Sequence, residues 1–136
     1  MAFWLLKTEP GEYSFQNLLQ QGPDVWDGVK SPAAQKNIKS MQPKDLAFIY
    51  HTGKERSLTG VAEIITRPYP DPKGTGLYVI DLAPVYRLKR PVSLAEIKQD
   101  HFFSGWELVR LPRLSVMPVP PEFWDKIHRM AEYPLT

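Results

Sequence analysis

The chain has 136 residues, of which 43% are apolar and 24% charged, with a net charge of +2. That length suffices for one domain with a substantial core, and the charge argues against a generic duplex binder, which carries a larger basic excess. There is no cysteine, so disulfides, thiolate catalysis and cysteine-ligated zinc are excluded, and no apolar run is long enough to span a membrane.

Met1-Ala2-Phe3-Trp4 is already strand-like and has no basic and apolar leader, so the chain reads as intracellular and is expected in the cytoplasm. Phe3 to Thr8 is a strand pattern ended by Pro10-Gly11. Alternate strand residues share a face, which pairs Trp4 with Leu6 and Leu5 with Lys7. Ser14 is placed to cap a short helix bearing Phe15, Leu18 and Leu19, stopped by Gly22-Pro23. Val25, Trp26 and Asp27 fall in a loop. Ser31-Pro32 then opens a second helix, a hydroxyl cap followed by proline at the first helical position, and Ala34, Ile38 and Met41 recur at helical spacing.

Asp45 to Thr52 is a nearly continuous apolar strand, the pattern of a strand buried on both faces. Leu58 to Thr66 is the next strand, and Gly60 inside it signals a bulge or a close approach to the backbone. Pro68 through Gly76 is a turn-rich connection. Leu77 to Leu88 is a long strand pattern in which Pro84 marks an edge or a bulge. Ser93-Leu94-Ala95-Glu96 fits a capping box. Leu114 to Val119 is a late strand, and Pro120-Pro121 introduces a last helix with Phe123, Trp124, Ile127, Met130 and Ala131 on one apolar stripe. The 14 prolines suit a turn-rich fold. With no repeat and no linker, residues 1–136 are expected to form a single α+β domain around a curled mixed or antiparallel sheet that approaches a barrel.

Three stretches place aromatic rings beside polar groups of short reach: Trp4 to Pro10, Trp26 to Pro32 and Phe48 to Thr52. Trp4 serves either as core or as a stacking face, and Lys7 as a solvated cation or a phosphate contact. Asp27-Gly28 favours a tight turn in which glycine lets a ligand approach the backbone. That turn feeds the helix capped by Ser31, where free N–H groups gather and Lys30 adds a cation. Asp27 either accepts from an exocyclic amine or only stabilises the turn, and Trp26 either stacks or only plugs the barrel mouth. Tyr50 and His51 end a buried strand, where they close the sheet or meet a ligand. Arg110 to Val116 offers two arginines and Ser115 for phosphate or base contact, or is a charged loop. His51, His101 and His128 show no metal-ligand spacing, and no serine sits in a nucleophile elbow.

Taken together these stretches resemble an EVE domain, a member of the PUA-like superfamily. The likeness runs from Trp4-Leu5-Leu6-Lys7-Thr8-Glu9-Pro10 with Tyr13-Ser14, through Trp26-Asp27-Gly28-Val29-Lys30 and Phe48-Ile49-Tyr50-His51. It ends with Gly60-Val61-Ala62-Glu63-Ile64 and Arg113-Leu114-Ser115-Val116-Met117-Pro118-Val119. The resemblance implies a PUA-like sheet of five or six strands, no catalysis of its own, no cofactor, and a pocket for a modified base, foremost a modified cytosine in DNA. Lys30-Ser31 stands where many relatives carry arginine then asparagine, and lysine lacks the planar fork for bidentate contact.

The expected base-binding set is Trp4, Trp26, Asp27, Gly28, Val29, Tyr50 and His51. The expected phosphate contacts or pocket rim are Lys7, Lys30, Ser31, Arg113, Leu114 and Ser115. The partner is a nucleic acid carrying a modified base, without a membrane or metal. Two rivals stand beside it: an enzyme acting on nucleobases or nucleotides with Asp27 or His51 as base, and a peptide or metabolite interaction module.

Overall fold

The computed structural model describes residues 1–132; residues 133–136, the end of the expected domain, lie outside the described residues. The order is β1 (Phe3–Thr8), α1 (Phe15–Gln21), β2 (Asp24–Trp26), α2 (Pro32–Ser40), β3 (Leu46–His51), β4 (Ser57–Ile64), β5 (Tyr69–Pro70) and β6 (Tyr78–Ser93). Next come α3 (Leu94–Gln99), a 3-10 turn (His101–Phe103), α4 (Glu107–Arg110), β7 (Val116–Pro118) and α5 (Pro121–Glu132). The strands lie in the order β2-β6-β4-β3-β1-β7, with β5 against β6. β1 and β3 run parallel and every other pair is antiparallel. The sheet is a curled, mixed half-barrel with β2 and β7 at its open ends.

Strand alternation divides the core in two. Trp4 and Leu6 of β1 join Ala47 and Ile49 of β3 on one face, beneath Phe15 and Leu18 of α1 and Ala34 and Ile38 of α2. Leu5, Phe48 and Tyr50 face the other way, beneath Ile97, Leu108, Trp124 and Ile127 from α3, α4 and α5. On that second face Trp124 stacks on Phe3 and Phe48 at centroid distances of 4.3 and 4.1 Å. Both faces of the sheet therefore carry helices, while Val85 and Tyr86 in the middle of β6 stay exposed. Among the described residues no helix is long and apolar enough to cross a membrane.

The local signals act through identifiable bonds. Ser14 Oγ accepts from Asn17 N, and Asn17 Oδ1 accepts in turn from Ser14 N. Ser31 Oγ caps α2 by accepting from Ala34 N. Glu96 completes the capping box of α3 and receives a two-pronged bond from Arg90. An ideal Cβ on Gly60 would lie 2.5 Å from the Phe15 ring, so the glycine lets α1 sit directly on β4. The strand also bulges there: Thr59 is passed over in the register and its hydroxyl donates to Ile49 O at 3.1 Å. The β4–β6 register shifts again between Val61 and Ala62, skipping Val85 next to Pro84.

Several elements differ from the sequence pattern: the 3-10 turn at His101–Phe103 has no counterpart in it, and β6 runs on to Ser93, past the expected end at Leu88. Val25 and Trp26, expected in a loop, belong to β2 because their backbone pairs with Asp81 and Ile80. β5 and α4 are two and four residues long, below the length at which periodicity is detectable.

Candidate functional site

β1 and β2 end, and β7 begins, at the same end of the sheet. There they surround a cleft of about 540 Å³, lined by Lys7, Thr8 and Glu9 from the end of β1, by Trp26, Asp27, Gly28 and Val29 from the end of β2, and by Ser115 before β7. Tyr13, from the turn after β1, and Lys73, from the β5–β6 connection, complete the walls.

The rings are held rigidly. Tyr13 meets Trp26 edge to face, with centroids 6.0 Å apart and planes at 80°. The Tyr13 hydroxyl donates to Asp24 Oδ2 at 2.7 Å, and Thr8 Oγ1 donates to Tyr13 O at 2.6 Å. Burial, reinforced by the Asp24 carboxylate, holds the Tyr13 hydroxyl protonated far above its ordinary range. The chain reaches Tyr13 through a tight turn in which Glu9 O accepts from both Glu12 N and Tyr13 N.

The polar groups are set by the turn after β2. Gly28 has φ of +75°, the left-handed conformation that glycine adopts without strain. Gln35 fastens the neighbouring Val29: its Nε2 donates to Val29 O at 2.8 Å and to Tyr78 O at 3.0 Å, and its Oε1 accepts from Tyr78 N at 2.9 Å. The backbone N–H groups of Gly28 and Val29 have no acceptor among the described residues. The Asp27 carboxylate is partly exposed and accepts from Lys73 Nζ at 3.3 Å. Such an exposed pair is worth about 0–1 kcal/mol, so a ligand amine can replace the lysine at little cost. The cleft holds four carboxylates, Glu9, Glu12, Asp24 and Asp27, against two ammonium groups, Lys7 and Lys73.

Of the residues singled out from the sequence, Lys7, Trp26, Asp27, Gly28, Val29 and Ser115 meet in this cleft. The structure does not bring Trp4, Tyr50 or His51 to it. Trp4 is in the core, and its indole N–H donates at 2.9 Å to the buried Asp45, which also accepts from Ala2 N and Gln42 N. Tyr50 points to the opposite face because β3 alternates, and it lines a separate cavity. His51 turns beneath α1, where Nε2 accepts from Phe15 N at 3.0 Å and Nδ1 faces Glu55 Oε1 at 2.9 Å. A pairing of Asp27 with His51 as acid and base is therefore not assembled. Lys30 and Ser31 are exposed outside the cleft, as is Arg113, while Leu114 packs between the two cores.

Sequence reasoning missed a role for Tyr13, and missed Thr8, Glu9, Glu12, Asp24 and Lys73 as cleft residues. The Pro10-Gly11 turn was the available signal for Tyr13, since a reversal there carries the next aromatic back over the strand end. Lys73 is 46 residues from Asp27 and had no local signal. Among the described residues no cluster of three His, Asp or Glu is arranged to hold a metal ion.

Comparisons with known proteins agree with this architecture. The EVE domain model matches residues 2–130. Human thymocyte nuclear protein 1 is 28% identical, covering 96% of this chain and 74% of that protein. An NMR structure of a protein from Rhodopseudomonas palustris superposes with a TM-score of 0.92 at 33% identity, over 97% of this chain and 94% of that one. A crystal structure of human THYN1 protein in complex with 5-methylcytosine containing DNA has the same fold, with a TM-score of 0.92 at 24% identity, over 99% of this chain and 100% of that one.

Proposed function

The chain belongs to the EVE domain family, and on that premise we propose that it is a non-catalytic reader of nucleic acid, one that receives a single modified base, foremost a modified cytosine in DNA, in the Tyr13–Trp26 cleft. The observation that carries this reading is the combination, in one ring-sized cleft, of a fixed aromatic pair with unpaired backbone donors and an accessible carboxylate. Cytosine presents an exocyclic amine as donor and ring acceptors beside it. Asp27 accepts from the amine, and the N–H groups of Gly28 and Val29 face the acceptors. Tyr13 and the edge of Trp26 that the core leaves uncovered supply apolar surface, and base stacking on such rings contributes roughly 1–3 kcal/mol. A methyl group on the ring is then sensed by fit, worth about 1–3 kcal/mol in selectivity.

Two features support a reader rather than an enzyme. Both ring nitrogens of His51 are engaged in holding the fold, and among the described residues the side-chain partner of Asp27 is Lys73. The 5-methylcytosine DNA bound by human THYN1 protein supports the choice of ligand. We take residues 1–136 as one domain acting in the cytoplasm; fractionation of cells expressing the full chain tests the compartment.

The deciding experiment is a titration of labelled single-stranded and duplex oligonucleotides, each carrying one modified base, against unmodified controls. The expected result is a preference of roughly tenfold or more for at least one modification, lost in Trp26→Ala and in Asp27→Asn. The second variant keeps size and packing, so it reports on recognition even if the first loses stability. Equal affinity for every oligonucleotide, or a preference that survives in Asp27→Asn and Trp26→Ala alike, rejects the reading.

A further inference from the structure

The cleft that suits a base is poorly suited to a phosphate, because carboxylates outnumber ammonium groups in it by four to two. A second cavity lies on the other side of β1, with a volume of about 350 Å³, and its polarity is reversed. Lys7, Arg56 and Lys98 line it, and no carboxylate does. Lys7 belongs to both cavities: its side chain lies over the Tyr50 ring at 5.6 Å, and its Nζ donates to Pro112 O at 3.0 Å, leaving further N–H groups available.

Tyr50 is 3% exposed and its ring is packed in the core, yet its hydroxyl, in the wall of this cavity, has no hydrogen-bond partner among the described residues. Among the described residues no buried side-chain nitrogen or oxygen lacks a partner, so this hydroxyl is reached by solvent and is free to donate to a group in the cavity. Arg56 is fixed in place. Its backbone is left-handed, with φ of +42°, its carbonyl accepts from Leu94 N at 2.8 Å, and its Nε donates to Gly53 O at 3.2 Å. That arrangement leaves the two terminal guanidinium nitrogens unpaired, among the described residues, beside the cavity. Burial pushes the Tyr50 hydroxyl above its ordinary value, and the positive charge of Arg56, which lines the same cavity, opposes the shift.

We propose that this second cavity is a phosphate site, in which Arg56, Lys98, Lys7 and the Tyr50 hydroxyl hold one phosphate group. Resting on the base-reader assignment, that phosphate belongs to the backbone of the strand whose base occupies the first cleft, and Lys7 stands at the boundary between the two. Base and backbone are thus divided between an acidic aromatic cleft and a basic pocket on opposite faces of β1.

The test combines two variants, Arg56→Asn, which tolerates a left-handed backbone, and the exposed Lys98→Gln, with two probes, inorganic phosphate and an oligonucleotide carrying one modified base. Amide and side-chain NMR signals of Tyr50, Arg56 and Lys98 are followed with each probe. Affinity for the oligonucleotide is measured across salt concentration. The expected result is a shift of these signals with the oligonucleotide, and in the double variant an affinity at least tenfold weaker with a salt slope smaller by about 0.7, the value for one phosphate on a single strand. The ratio of modified to plain affinity stays as in the parent. Signals that move with inorganic phosphate alone, while no oligonucleotide binds, support the phosphate pocket, assign it to a free phosphate source and remove the reader. An oligonucleotide that binds with its modification preference intact, leaves these signals in place and keeps its affinity and slope in the double variant overturns the pocket and leaves the reader standing. Silence with both probes overturns it as well.

Discussion

The imidazole of His51 accepts the backbone N–H of Phe15 at 3.0 Å, so a side chain at the end of β3 caps the first turn of α1. Since that N–H must donate, Nε2 is the acceptor nitrogen, and Nδ1 carries the proton toward Glu55. His51→Ala leaves a buried donor unpaired and is expected to cost about 1–3 kcal/mol. Urea unfolding measures this loss. Oligonucleotide affinity at a temperature where the variant is folded should stay within a few-fold of the parent. A variant that unfolds like the parent but no longer binds contradicts this assignment.

Gln35 holds the Gly28–Val29 turn of the cleft through its bonds to Val29 and Tyr78. Gln35→Leu keeps the bulk and removes all three bonds. We expect faster hydrogen exchange at Tyr78 and a weaker preference for the modified base, by about tenfold, as the Gly28–Val29 donors lose their fixed position. Unchanged preference together with faster exchange would mean that the loop is positioned by something else.

Gly60→Ala tests the contact between α1 and β4. The new methyl meets the Phe15 ring at 2.5 Å, and the ring is boxed in by the core. Overpacking of this kind costs about 1–3 kcal/mol. Phe15→Leu in the same chain makes room, so the double variant should be more stable than the sum of the two single changes predicts. Strict additivity in denaturant unfolding would show that the clash is relieved elsewhere.

Glu96 makes a pH-dependent contribution to stability. Burial opposes its ionisation, but Arg90 and the backbone and side chain of Ser93 more than offset this, so its carboxyl titrates below the ordinary value of 4.5. A carboxyl depressed in the folded state contributes stability that is complete above its unfolded value and disappears as pH falls through the folded value. Glu96→Gln should therefore lower stability at pH 7, and the gap to the parent should narrow steadily as pH falls below 4.5. A gap that is constant with pH would mean that the bonds matter but the charge does not.

Helix starts and strand faces were legible in the sequence because their causes are local. Ser14, Ser31 and Ser93 each cap the helix that comes after them, and alternation alone sorts Trp4 and Leu6 from Leu5. The same alternation, applied to β3, separates Tyr50 from the Trp26 side, yet motif proximity groups them. His51 ends a strand at the right end of the sheet, but which way an imidazole turns depends on the α1 amide it caps, 36 residues earlier. Part of the cleft was therefore readable from the chain, namely the Trp26 to Val29 turn, Lys7 and Ser115. Another part, Tyr13 and Lys73, arrives through a reversal and a long connection whose paths are set by tertiary packing.

Helices lie on both sides of the sheet, although Val85, Tyr86 and Arg87 in the middle of β6 remain exposed, and the aromatic cleft opens at the rim where β1 and β2 end. A strand held there as proposed would offer one base at a time to Trp26 and Asp27. On the proposed reading, affinity should level off once an oligonucleotide is a few nucleotides long, and neighbouring sequence should matter little beside the chemistry of the one inserted residue.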